Sequence, residues 1–406
     1  MTPTPDSVRA GVLGRVRALE DDLLATSHRI HGRPELQYEE YETAATLCQL
    51  VSAEPDVTVE RGPGALPTAF RATRQGSTAG PRIAFVAEYD ALPDIGHGCG
   101  HNIIGTAAVG AFRAAAPLVD ALGGTLEVIG TPAEEGGGGK VHMVNRGVFD
   151  DVDIAIMMHP SWATYMCPQL LGMASIRCSF SGLSSHAGQA PHLGRSALAG
   201  VIQTFNAVDS MRQFVHHESR IHGVITEGGK KPSVIPDHAA CHFFVRSPSK
   251  SYLEELGQRV RNCAEGAALS TGTTVTFLEP EFPAYEPFIP SPAISDLYRR
   301  EAATLGRGAI ELEERMVYAS NDIGNVSRRL PAAMMMFGIT NGKKIGHHSR
   351  EFAEAARSSH GDRALIDSSS AMALTAVRLL QEPGRVDAAK AELGPLLAES
   401  VTIRTH

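Results

Sequence analysis

The 406-residue sequence contains no apolar run long enough for a membrane helix, which takes about 18 consecutive apolar residues. Its N-terminal segment, MTPTPDSVRAGVLGRV, lacks the apolar stretch of a signal peptide. The net charge of −8, without a long basic stripe, argues against nucleic acid as a partner. The six cysteines lack the spacing of a disulfide framework; they stand at positions 48, 99, 167, 178, 241 and 263. These absences predict a cytoplasmic protein that binds neither membranes nor nucleic acid.

Four short apolar runs are present, and they predict buried strands of a mixed or parallel sheet. The runs are RIAFVA (82–87), TLEVIG (125–130), DIAIMM (153–158) and AAMMMFGI (332–339). Two longer segments, 102–122 and 363–383, have the apolar pattern of helices that pack on such a sheet. The sequence therefore predicts an α/β fold.

The stretch from about Met173 to Pro287 has a different pattern. Its elements are expected in the order strand, helix, strand, strand, helix, strand, which is typical of the split βαβ or ferredoxin-like domain. The proline-rich segment EPEFPAYEPFIPSP (279–292) would lead the chain back to the first sheet. We therefore predict one α/β domain from residues 1–172 and 288–406, with an α+β domain of residues 173–287 inserted into it.

Candidate metal ligands follow all four predicted strands. In chain order they are Cys99 and His101 in GHGCGHN, Glu134 and Glu135 in TPAEE, His159, and His348 in HHSREF. Each cluster alone has an ordinary explanation, such as a core thiol, a solvated acidic loop or a strand-end histidine. However, the carboxyl ends of neighbouring strands meet in one crevice, and ions such as Zn²⁺ bind mixed sulfur, nitrogen and oxygen donors. Together the clusters predict a dinuclear metal site.

The adjacent carboxylates of Glu134 and Glu135 indicate two different functions. One can bind metal, while the other takes a proton from water held by the ions. Asp90 is close enough in sequence to hold a ligand histidine in one tautomer. A phosphate-binding loop in EEGGGGK (134–140) is excluded, because its first position is glutamate and Val141 stands where Ser or Thr is required.

These motifs occur in the order of a known family. AEYDALPDIGHGCGHN, TPAEE, SSHAGQAPHLGRSAL, SVIPDHA and HHSREF resemble the metal-dependent amidohydrolases and peptidases that include aminoacylase, carboxypeptidase G and auxin-conjugate hydrolases. The resemblance extends from RIHGRPELQYEEYET (29–43) to the last predicted helix. The cysteine-containing loop is similar to one branch of this family, and EYDALP…GHN is most similar to its subgroup of aminoacylase-like dipeptidases.

The resemblance implies a catalytic domain with two divalent ions (zinc, manganese or cobalt) and an inserted lid domain through which two subunits form a homodimer. It implies five metal ligands: Cys99, His101, Glu135, His159 and His348. It makes Glu134 the general base that later protonates the leaving amine. It also makes His186 a donor that stabilises the oxyanion in the partner's active site. Arg246 matches a lid arginine that grips a substrate carboxylate, although a surface salt bridge would explain it nearly as well.

Two positions depart from the family pattern near the substrate. Ser233 stands where asparagine usually helps to hold the substrate carboxylate, and Asn321 where the dipeptidase-like subgroup tends to carry threonine. The complete ligand set predicts hydrolysis of the amide C–N bond of a small N-acyl amino acid or dipeptide by metal-bound hydroxide. The two substitutions leave open a non-peptide C–N substrate, such as an aryl amine or amidine. A non-enzymatic metal-binding or scaffold protein on the same fold is a third interpretation, which the retained Glu134 and ligands disfavour.

Overall fold

The computed structural model describes residues 5–312 and 316–401, which form two compact units. The first unit contains the described residues of Met1–Leu170, Phe288–Val317 and Asp322–Ala398. The second contains Leu171–Pro287, Tyr318–Asn321 and the described residues of Glu399–His406. Each unit has its own hydrophobic core.

The first unit is a mixed α/β structure. Its strands are β1 (Thr58–Arg61), β2 (Phe70–Gln75), β3 (Arg82–Glu88), β4 (Thr125–Thr131), β5 (Ile154–Ser161), β6 (Tyr165–Met166), β7 (Gln169–Leu170), β12 (Met316–Val317) and β13 (Ala332–Gly338). Its helices are α1 (Pro5–His31), α2 (Tyr41–Ser52), α3 (His101–Ala115), α4 (Val119–Leu122), α5 (Gly139–Asn145), α8 (Pro292–Ala303), α9 (Ile323–Ser327), α10 (Arg350–Ala355), α11 (Ser359–Gln381) and α12 (Gly384–Val401).

A seven-stranded sheet with the order β1-β2-β4-β3-β5-β13-β6 organises the first unit. Its four central strands, β4, β3, β5 and β13, are parallel, and the outer pairings are antiparallel. These central strands are the four that the apolar runs predict, and they are almost entirely buried. Because they are parallel, their carboxyl ends meet at one edge of the sheet, where the candidate ligands follow.

Helix α3 packs against α1, α11 and the sheet, and every one of its residues is buried. Small residues permit this close packing, since a Cβ on Gly110 would lie 2.7 Å from Oγ of Ser369. Among the described residues, the segment His101–Leu122 has the length and composition of a membrane span, but 89% of its most apolar stretch is buried inside the protein. A place in the core accounts for this apolar composition.

The second unit is an antiparallel sheet covered by helices on one face. Its elements are β8 (Gly172–Ser181), α6 (Ala197–Met211), β9 (Arg220–Glu227), β10 (His238–Ser247), α7 (Lys250–Thr271) and β11 (Thr274–Leu278). The sheet order β11-β8-β10-β9 is that of a ferredoxin-like fold. Serines cap both helices, with Ser196 accepting the N–H of Ala199 and Ser249 that of Tyr252. The predicted α/β fold and its α+β insertion are confirmed.

Candidate active site

Cys99 lies on the loop between β3 and α3, and His101 is the first residue of α3. Gly100 precedes the helix with a φ of 76°, a left-handed conformation that suits glycine. A Cβ at this position would lie 2.7 Å from Cγ of Pro160, so glycine allows the loop to approach β5 closely. The thiol and the imidazole are both buried as a result.

The carboxylate of Asp90 connects two candidate ligands. Its Oδ1 lies 3.0 Å from Nδ1 of His101, and its Oδ2 accepts the backbone N–H of Glu135 at 2.8 Å. Burial opposes ionisation of Asp90, but the hydrogen bonds from His101 and Glu135 outweigh it and lower the pKa of this carboxyl. An ionised Asp90 accepts the proton on Nδ1, which leaves Nε2 of His101 as the ligand atom.

The turn that carries Glu134 and Glu135 is held by a second buried carboxylate. Ala133 has a φ of 59°, which is unusual for a residue with a side chain. Its N–H donates to Oε1 of Glu40 at 2.8 Å, and Oε2 of Glu40 accepts from Oγ1 of Thr68 at 2.9 Å. Glu40 was not predicted from the sequence, because it lies far from any predicted strand end.

Glu134 and Glu135 differ in proton affinity although they are adjacent. Burial and the carboxylates of Glu88 and Glu135 hold the pKa of Glu134 well above its usual value. Burial also acts to raise the pKa of Glu135, but the hydrogen bond with His348 and the nearby His101 lower it overall. The raised pKa of Glu134 suits a group that carries a proton during the reaction, and the lowered pKa of Glu135 suits an ionised metal ligand.

His159 and His348 reach the same cluster from β5 and from the segment after β13. Nδ1 of His159 lies 2.8 Å from the carbonyl oxygen of Pro160, and burial together with His347 holds the pKa of His159 well below its usual value. The neutral imidazole is the form that binds metals. Nε2 of His348 lies 3.3 Å from Oε2 of Glu135. By contrast, Nε2 of His347 lies 2.9 Å from the carbonyl oxygen of Pro160, so the backbone engages its ring.

The donor atoms form three groups, of which two share Cys99 and the third consists of Glu88, His101 and Glu134. Among the described residues, the ligand atoms of Cys99, His101 and His159 lie within 4.8 Å of one another, as do those of Cys99, Glu135 and His348. Nε2 of His101 and Oε1 of Glu135 are buried without a hydrogen-bond partner in the described part of the chain. Buried polar atoms rarely lack partners, and this donor set suits divalent ions. The residues therefore fit a metal centre.

A buried lysine neutralises the acidic side of this cluster. Nζ of Lys140 lies 2.6 Å from Oε1 of Glu88 and 2.5 Å from Oδ1 of Asp322, and all three side chains are fully buried. Oδ2 of Asp322 also accepts the backbone N–H of Lys140 at 2.9 Å. In the sequence, Lys140 belongs only to the excluded phosphate-loop match. Its burial has no signal in the sequence, because Lys140 follows four glycines, a context typical of a solvated loop.

Two of the other predicted residues, His186 and Ser233, lie together in the second unit. Nδ1 of His186 accepts the N–H groups of Gly188 and Gln189 at 3.2 and 3.0 Å. The proton of a neutral ring must then be on Nε2, so His186 presents a hydrogen-bond donor. The carbonyl oxygen of Ser233 accepts the N–H of Ala187, which joins its segment to that of His186.

Arg246 and Asn321 also belong to the second unit. Nη1 of Arg246, on β10, donates to Oγ of Ser320 at 3.0 Å. Asn321 follows directly and is buried.

The sequence model of peptidase family M20/M25/M40 matches residues 84–367 of the chain. The protein belongs to this family. It is 33% identical to the Xaa-Arg dipeptidase of Mus musculus, over 96% of this chain and 93% of that protein. It is 37% identical to one subunit of the p-aminobenzoyl-glutamate hydrolase of Escherichia coli, over 61% of this chain and 55% of that protein. A solved dinuclear metal-binding peptidase of family M20 from Bacillus subtilis shares its fold, with a TM-score of 0.68 and 21% identity over 90% of this chain and 99% of that one.

Membership of family M20/M25/M40 confirms the resemblance drawn from the motifs. It also confirms that the protein is a hydrolase acting on C–N bonds. The roles assigned to individual side chains stay predictions.

Proposed function

We propose that the protein hydrolyses the amide bond of a small N-acyl amino acid or dipeptide, in a centre that holds two divalent ions such as zinc, manganese or cobalt. The observation that carries the proposal is the pair of ligand groups sharing Cys99, with the carboxyl group of Glu134 buried beside them. The related proteins of mouse and Escherichia coli are named for a dipeptide and for p-aminobenzoyl-glutamate, which are small substrates of this kind.

The proposed reaction divides its tasks among several side chains. When bound, the ions supply a Lewis acid that polarises the carbonyl group and acidifies water. Glu134 accepts the proton that the attacking water loses and delivers it to the leaving nitrogen. Asp90 keeps His101 in the tautomer that ligates metal, and Glu40 holds the turn before Glu134. His186 donates through Nε2 to the oxyanion that develops in the tetrahedral intermediate.

A non-peptide C–N bond, as in an aryl amine or amidine, is the second candidate substrate. Ser233 favours it, because serine lacks the amide group that asparagine would offer to a substrate carboxylate at this position. The metal cluster and Glu134 would serve either substrate equally. The choice therefore depends on a comparison of substrates.

Metal removal and a substrate panel test the proposed function. We expect a chelator to abolish hydrolysis, and zinc, manganese or cobalt to restore it, with N-acyl amino acids and dipeptides turned over faster than aryl amines or amidines. We also expect Cys99→Ser to lower the bound metal per subunit, measured by elemental analysis, because Cys99 belongs to two of the three ligand groups. The control Cys167→Ser changes another buried thiol and leaves metal content unchanged. Absence of bound metal even after reconstitution would restore the scaffold interpretation.

We also propose that the protein forms a homodimer through the second unit. β9 is an edge strand of the four-stranded sheet. It exposes Val224 (60%) and Ile225 (46%), and α6 exposes Ile202 (44%). An exposed edge with apolar side chains is a favourable place for a second copy of the chain to pair.

Mixing two inactive variants tests the dimer and the role of His186 together. We expect Glu134→Gln and His186→Ala to be nearly inactive when pure. If His186 acts in the partner's active site, a heterodimer contains one site with both native residues, so refolding the two variants together restores activity. Sedimentation measures the dimer directly. A mixture no more active than its components would show that both residues act within one subunit or that the protein is a monomer.

We further propose that the protein resides in the cytoplasm and binds neither membranes nor nucleic acid. All six cysteines are free, as expected in a reducing compartment. The net charge of −8 would oppose binding to phosphate backbones. Fractionation of cells that express the full chain, followed by detection of the protein in each fraction, checks the location.

A further inference from the structure

The second unit places two arginines directly opposite each other in an antiparallel ladder. Arg220, the first residue of β9, pairs with Arg246 on β10. Opposite residues project from the same face of a sheet, and Val245, the neighbour of Arg246, belongs to the core formed with α6 and α7. Because side chains alternate along a strand, both arginines project from the face that these helices leave uncovered. Like charges in this arrangement destabilise a sheet unless another group compensates them.

The contacts of Arg220 fix its position without neutralising its charge. Nη1 donates to the carbonyl oxygens of His217 at 2.7 Å and Ser219 at 2.8 Å. The centre of the guanidinium group lies 4.0 Å from the ring centroid of Tyr318. Within residues 5–312 and 316–401, Arg220 forms no ion pair with a carboxylate. The side chain is therefore held in place while its charge remains available.

The segment that follows Tyr318 contacts the second arginine. Ser320 accepts the hydrogen bond from Arg246, so the segment Tyr318–Asn321 lies against both guanidinium groups. His222, two residues after Arg220 on the same face of β9, has its pKa lowered by burial and by Arg246. The charge of Arg246 therefore acts on a neighbouring position of this face.

We infer that Arg220 and Arg246 form a two-guanidinium site that selects substrates whose leaving amino acid carries a side-chain carboxylate, as glutamate and aspartate do. This inference rests on the proposed function, from which Arg246 takes the role of binding the α-carboxylate. Arg220 then binds the second carboxylate. A guanidinium fork matches a carboxylate through paired N–H donors, and two adjacent forks match a dicarboxylate. The same two positive charges repel a cationic side chain and so discriminate against arginine in that position.

Three dipeptides that differ only in the leaving residue test this selection. We expect the metal-loaded wild type to have a higher kcat/KM for alanyl-glutamate than for alanyl-leucine, and the lowest for alanyl-arginine. In Arg220→Gln, the ratio of kcat/KM for alanyl-glutamate to that for alanyl-leucine should fall by about tenfold or more, chiefly through KM, because a charge-assisted hydrogen bond is lost. Arg220→Lys keeps the charge but loses the fork, so it should retain part of the ratio.

Arg261→Gln is the matched control. Like Arg220, Arg261 places its guanidinium group over an aromatic ring, at 4.8 Å from the ring centroid of Phe277. Unlike Arg220, Arg261 lies on helix α7 and not on the strand pair of the proposed site. This variant should leave the ratio unchanged. A purely structural role of Arg220 would lower turnover of all three dipeptides by the same factor, which would overturn the inference. Equal turnover of alanyl-glutamate and alanyl-leucine by the wild type would overturn it as well.

Measuring the binding of free amino acids tests this inference independently of the proposed function. If no C–N substrate is hydrolysed, the proposed function fails, and calorimetric titration of the metal-loaded protein with free L-glutamate and L-leucine still tests the arginine pair. Tighter binding of L-glutamate by the wild type, weakened about tenfold or more in Arg220→Gln, would support it. No measurable binding of L-glutamate, or equal binding by both proteins, would overturn it.

Discussion

The Glu134→Gln variant is expected to lose about 10²–10⁴-fold in kcat, the usual contribution of a general acid–base group, while its metal content stays at the wild-type level. Glutamine has nearly the same shape but cannot accept the proton of the attacking water. Burial raises the pKa of this carboxyl group, and the nearby charges of Glu88 and Glu135 raise it further. The neutral amide matches the protonated form that this raised pKa favours, so we expect no fall in Tm. Steady-state kinetics, elemental analysis and thermal unfolding measure the three quantities.

Glu135→Gln is the matched control for this experiment, because it changes the same functional group one position along the chain. Oε2 of Glu135 lies 3.3 Å from Nε2 of His348, and the residue belongs to a ligand group with Cys99. We therefore expect this variant to lose metal together with activity. If Glu134→Gln instead kept kcat within about tenfold of the wild type, or lost metal as Glu135→Gln does, Glu134 would not be the proton carrier.

The Lys140→Met variant is expected to be less stable than the wild type by about 3–5 kcal/mol, the cost of breaking a buried ion pair by removing one partner. Nζ of Lys140 lies 2.6 Å from Oε1 of Glu88 and 2.5 Å from Oδ1 of Asp322, with no solvent exposure at either contact. Methionine fills similar space but leaves two carboxylates without this cation. Urea unfolding checks the change, and the fluorescence of Trp162, the single tryptophan, reports on the first unit.

The deficit of Lys140→Met should depend on pH. Burial raises the pKa of Asp322 to about 6, even though Lys140 acts to lower it. Without Lys140 this pKa rises further above the unfolded value. A carboxyl group with a raised folded-state pKa destabilises the fold at higher pH, and the penalty disappears as the group takes up a proton. The difference from wild type should therefore be largest near pH 8 and shrink towards about pH 5.

Two further variants separate the buried ion pair from other effects of the substitution. Lys140→Met combined with Asp322→Asn removes one unpaired carboxylate, so it should recover part of the lost stability. Lys390→Met breaks the ion pair with Asp153 at the surface, and it should change stability by no more than about 1 kcal/mol. Equal stability of Lys140→Met and wild type across the pH range would show that the cluster contributes nothing to the fold.

Local pattern was sufficient to predict the elements that position the site. The four apolar runs correspond to β3, β4, β5 and β13, because a buried parallel strand is apolar on both faces and is bounded by polar turns. The order of elements between Met173 and Pro287 predicted the ferredoxin-like topology in the same way. The strands also predicted which residues could be metal ligands, because residues that follow the carboxyl ends of neighbouring parallel strands lie in one crevice.

The buried charged residues that support the site could not be predicted from local sequence pattern. Glu40 accepts a hydrogen bond from a residue 93 positions away, and the backbone N–H of Lys140 donates to Asp322, 182 positions away. Neither Glu40 nor Lys140 follows a predicted strand directly, and each would be read alone as a solvated charge. Only burial turns such a side chain into a partner, because a charge removed from water must be paired.

By itself, the sequence determined the α/β class, the inserted α+β unit, the family and the chemical types of the candidate ligands, because periodicity and strand-end motifs are written in consecutive residues. The tertiary structure decided which atoms face each other: Asp90 between His101 and Glu135, and Arg220 opposite Arg246. These pairings depend on strand register and on packing between distant segments. A shift of one residue along a strand would reverse the face on which each side chain lies, and the partner opposite each residue is known only once the strands are paired.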